Sequence, residues 1–129
     1  MAERKILSDR YKNFRANRTG RSVTGKRGVI ELHHESIFPG FKGGRKKYND
    51  FGILELEKEE HTDRHTYGLK WWESTGLDPR QLVLEGLLEY RDTLSPFSFL
   101  KLKKGENDYE TELQLVEEHI GLIQDMLVD

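Results

Sequence analysis

The stretch Gly28-Val29-Ile30-Glu31-Leu32-His33-His34, read together with His61-Thr62-Asp63-Arg64-His65, decides how this chain folds. The apolar run before the doublet predicts a strand over about 28–34, and neighbours on a strand point to opposite faces. His33 and His34 are thus expected on two different sides of the sheet. Phe51 to Leu56 predicts a second strand, with Ile53 and Leu54 directed to the core. Glu57, Glu59 and Glu60 then supply the negative charge that a first helical turn favours, and Gly68 suits the end of that helix. On it His61 and His65 stand one above the other, at the spacing of an H-x-x-x-H metal pair. One imidazole of the doublet can turn toward this helix and its metal, while the other faces a substrate cleft.

Composition bounds the possibilities. With 129 residues the chain reads as one domain with a modest core. Charged residues make up 34%, and the mean hydropathy is -0.77. There is no cysteine, which excludes disulfides and thiolate zinc sites, so a metal must be held by histidine, carboxylate or water. No apolar run approaches the roughly 20 residues that span a bilayer, and the opening Met-Ala-Glu-Arg-Lys lacks the apolar segment of a signal peptide. The expectation is a cytoplasmic protein with no membrane partner.

The net charge of -2 conceals an uneven distribution along the chain. Residues 1–47 hold 13 Lys/Arg against 4 Asp/Glu, whereas residues 48–129 hold 8 against 19. A field of the first kind attracts phosphate backbones without reading sequence. Residues 1–27 therefore read as a basic arm, with a short helix over 8–18 and a linker over 19–25. Within it Tyr11 and Phe14 either stack on bases or anchor the arm to the core. The loop 36–48, punctuated by Pro39, Gly40, Gly43 and Gly44, is too rich in breakers for a regular element and adds further cations. Arg21, Lys26, Arg27, Arg45, Lys46 and Lys47, with Arg64 beside the histidines, are the candidate phosphate contacts.

Beyond Gly68 the sequence is helical. Leu69-Lys70-Trp71-Trp72 closes the core or begins a helix, and Asp78-Pro79 has the form of an N-cap followed by proline at the first helical position. That helix runs to about Thr93 and ends before Pro96. A last helix, about 107–128, carries Leu113, Val116, Ile120, Ile123 and Leu127 on one face. The stripe suits packing on its own domain or a homodimer seam, and the former is favoured because short helices persist only when packed. His119 reads as structural or surface.

The ordered set Leu32-His33-His34, Gly43-Gly44, Asn49 and His61-x-x-x-His65, within residues 28–68, resembles the HNH family of nucleases, in the wider His-Me finger group. The resemblance implies an α+β fold with a small ββα-metal core at 28–68, here between the basic N-terminal arm of 1–27 and a C-terminal extension of two helices over 69–129. It implies phosphodiester hydrolysis, with DNA as the expected partner, and a setting like that of small stand-alone bacteriophage or mobile-element enzymes. Hydrolysis needs a water deprotonated near neutral pH and charge relief on the phosphate and leaving oxygen, roles suited to a histidine and a divalent ion. His34 is assigned as general base and His33, His61 and His65 as ligands, in agreement with the family's pattern. Asn49 orients the base by fixing the loop, as the family's middle asparagine does. Neutral imidazoles suit zinc, nickel or manganese, and the resemblance adds magnesium. The other reading is a catalytically idle scaffold that serves as a regulator, inhibitor or DNA-packaging accessory. Loss of the base or a ligand would favour it, and both are present.

Overall fold

The computed structural model describes residues 5–35, 37–38 and 48–128. Arg45, Lys46, Lys47 and the glycines of the 40–44 loop lie outside the described residues. Among the described residues, two short sheets and five α-helices make a mixed α+β fold. The sheet that positions the histidines pairs β2 (Ile30–His34) with β4 (Ile53–Glu57) in antiparallel register, His33 opposite Leu54 and His34 opposite Ile53. Alternation then sorts the side chains, with Glu31, His33, Leu54 and Leu56 on one face and Leu32, His34, Ile53 and Glu55 on the other. All five residues of β4 are buried, because elements cover both of its faces. The strand starts at Ile53, later than the sequence suggests, because Asn49 caps a 3-10 turn over Asp50–Gly52.

Residues expected in a basic arm belong to the core. β1 (Lys5–Ile6) pairs in parallel with β3 (Tyr48–Asn49), and α1 (Asp9–Ala16) begins at Ser8, whose hydroxyl accepts from the Tyr11 amide. Tyr11 is fully buried, its ring packed on Phe14, Phe51 and Tyr90. Four residues on, the buried Arg15 guanidinium pairs with Glu55 on β4 and donates to the Tyr11 hydroxyl. These contacts answer the choice between base stacking and anchoring: the aromatic residues anchor α1. Gly86 on α4 (Pro79–Thr93) makes room for this arrangement, since a Cβ there would lie 1.8 Å from the Arg15 Nη1 atom.

After α2 (Lys58–Tyr67) come three helices rather than two. The short α3 (Lys70–Thr75) buries both Trp71 and Trp72. α4 starts at the Asp78 cap with Pro79 in its first turn, as its sequence predicts. α5 (Tyr109–Leu127) packs along it and buries Val116, Ile120 and Ile123, so the apolar stripe serves this chain's own core. No helix among the described residues is long and apolar enough to cross a membrane.

Folding also cancels much of the charge asymmetry. Arg10 pairs with Glu106, Arg15 with Glu55, Arg18 with Glu89, and Lys26 with Glu57 and Glu59.

Candidate metal centre

Three of the four expected site histidines converge. Near the end of β2, His33 is buried and turned toward α2, and α2 brings His61 and His65 to it on one face. The His33 ring meets both helical rings edge-on, at centroid distances of 5.0 and 5.2 Å. One ligand nitrogen from each of the three lies within 4.8 Å of the other two. The Nε2 atoms of His61 and His65 are 3.2 Å apart, close to the separation of two nitrogens each roughly 2.0–2.1 Å from one tetrahedral ion.

Carboxylates on the strand side hold two of these rings. Glu31 Oε1 lies 2.9 Å from His61 Nδ1, and Glu35 Oε2 lies 2.8 Å from His33 Nε2. An ionised carboxylate only accepts, so each places the proton on the nitrogen facing it and leaves the lone pair on the other. This is the donor state a metal requires. Glu35 also accepts two bonds from Arg64, at 3.0 and 2.5 Å, and one from the Trp72 indole at 3.0 Å. Burial alone would push its pKa up, but the hydrogen bonds from His33 and Arg64, with the Arg64 charge, outweigh that and hold it down at about 2. Glu35 is therefore ionised at neutral pH. His65 is kept below the usual histidine range by desolvation first, then by His33, His61 and Arg64, which favours its neutral, ligating form.

The fourth histidine faces elsewhere. His34 is exposed, with Nε2 2.8 Å from Oδ1 of Asp50, a carboxylate with no solvent exposure. Asn49 is bound within its own turn and to α5. Its Oδ1 accepts from the Phe51 amide at 2.9 Å, and its Nδ2 lies 2.7 Å from His119 Nε2. His119 in turn directs Nδ1 to the Leu115 carbonyl at 2.6 Å, so Nδ1 donates there and Nε2 accepts from Asn49. Burial pushes the His119 pKa down, consistent with this neutral state. Asn49 and buried His119 thus pin the turn before β4 to α5, and Asp50, the next residue, holds His34.

The proposed phosphate contacts separate. Arg64 faces Glu35, and Lys26 pairs with Glu57 and Glu59 at 3.4 and 3.3 Å. Arg21 and Arg27 are exposed. Glu35 and Asp50 were missed in the sequence because each sits in a charged or turn-forming context where a solvated carboxylate is the ordinary expectation. The one available signal was position, each carboxylate adjoining a singled-out residue, His34 or Asn49. No protein-family model, curated protein or solved structure matches this chain, so its site chemistry carries the functional reading.

Proposed function

We propose that this chain is a metal-dependent endonuclease of the HNH, ββα-metal type, hydrolysing phosphodiester bonds in DNA. The observation that carries the reading is the convergence of His33, His61 and His65 around one point beside an exposed histidine backed by a buried carboxylate. The order of elements supports it, since antiparallel β2 and β4 lead directly into α2.

His33, His61 and His65 would hold the ion, and their donor set fits one, with two of the three rings already oriented by carboxylates. Magnesium, manganese, zinc or nickel bound there would supply Lewis-acid relief of charge on the phosphate and the leaving oxygen. His34 takes the proton from the attacking water, a task suited to an imidazole within reach of solvent. Arg64 acts through Glu35 on His33. Arg21 and Arg27 are exposed to meet backbone phosphates, joined in this proposal by Lys26 and the 45–47 cations.

Supercoiled plasmid incubated with the protein and each of the four metals tests this. Nicked circles should form with at least one metal and vanish with EDTA. Intact plasmid under all four, or nicking indifferent to EDTA, would refute the reading.

A further inference from the structure

We infer that Asp50 is the positioning residue for His34, fixing its ring in the tautomer that leaves Nδ1 with the lone pair. The inference rests on the hydrolase reading for its catalytic meaning, but its structural content stands on the geometry alone. Asp50 is fully buried and lies between two groups. Its Oδ2 accepts the Ser8 backbone amide at 2.8 Å, and its Oδ1 faces His34 Nε2 at 2.8 Å. Lys12 Nζ stands 3.9 Å from Oδ2.

A carboxylate cannot donate when ionised, so the proton between Asp50 and His34 belongs to Nε2. The unprotonated nitrogen is then Nδ1, the atom that can accept a proton from water. Ser8 sets the carboxylate in place. Its amide binds Asp50, while its hydroxyl donates to buried Glu112 on α5 at 2.5 Å, a carboxylate that also receives the Tyr90 hydroxyl and the Asn107 amide. The N-terminal segment thereby reaches the candidate base through one buried carboxylate.

Asp50→Asn discriminates this role from bulk packing, because the two side chains have nearly the same shape. The Ser8 amide can only donate, so the asparagine oxygen must face it. The Asn NH2 then points at His34 and donates to Nε2, which moves the ring proton to Nδ1 and removes the lone pair needed for a base. The same logic makes amide replacement of a carboxylate partner cost a catalytic histidine roughly 10⁴-fold in rate.

The measurement is the imidazole tautomer of His34, read from long-range ¹H–¹⁵N correlation spectra of the metal-free protein at a pH where the ring is neutral. The unmodified protein should show the proton on Nε2. Asp50→Asn should show it on Nδ1, keep its affinity for zinc, and nick plasmid roughly 10³–10⁴-fold more slowly. A proton on Nδ1 in the unmodified protein would overturn the inference without recourse to any variant, as would an Asp50→Asn protein that keeps both tautomer and rate. A tautomer switch in a protein that never nicks plasmid would uphold Asp50's hold on His34 and sink the hydrolase reading instead.

Discussion

Glu35 supports more of the site than its sequence position suggests. It joins β2, α2 and α3 by accepting from His33, Arg64 and Trp72 at one buried carboxylate. Its pKa falls from 4.5 to about 2, so it contributes about 3 kcal/mol to folding at neutral pH. The sign follows from the depressed value: this stability is complete above about pH 4.5, the unfolded value, and disappears as pH falls through about 2. Glu35→Gln should therefore cost roughly 3 kcal/mol in urea unfolding at pH 7, with the gap to the parent closing on acidification between those limits. A gap that stays constant from pH 7 to pH 2 would show that Glu35 is not held ionised. The neighbouring His33 and His34 were legible because an apolar strand closing on a doublet must split it between two faces. Glu35 and Asp50 were not, since no spacing rule tells a buried acceptor from a solvated acid.

Among the elements, α2 is held in an unusual way. None of its residues is buried, so it has no apolar face to dock, and polar contacts attach it: His61 to Glu31, Arg64 to Glu35, Glu60 to Thr24, Glu59 to Lys26, and imidazole contacts with His33. A helix attached this way opens easily, and an ion shared between α2 and β2 would close it. At a zinc concentration about 100 times Kd, hydrogen exchange of the α2 amides should slow by about 100-fold, with α4 and α5 little changed. Equal exchange with and without zinc would mean that the ion, if bound, does not bridge α2 to the sheet. The helix itself was readable from its acidic start and terminal glycine, and α4 from Asp78-Pro79. The place of α1 was not, because arginines and lysines mask Tyr11 and Arg15, the two residues it buries.

For the molecule as a whole, charge along the chain proved a poor map of charge in space. Cations of the first 27 residues pair with acids from the rest of the chain, among them Glu106, Glu89 and Glu57. The exposed Arg21 and Arg27 remain candidates for DNA contact. Replacing both with alanine should make the plot of log affinity against log salt shallower by about 2, if each neutralises one phosphate. An unchanged slope would remove them from the interface. The central claim is that His33, His61 and His65 bind one metal while the adjacent His34 does not, and calorimetric titration with zinc tests it most directly. The parent and His34→Ala should each bind one ion with similar affinity, whereas His61→Ala and His65→Ala should lose that site. Loss of binding in His34→Ala, or unaltered binding in His61→Ala, would contradict the division of the histidines into ligands and base.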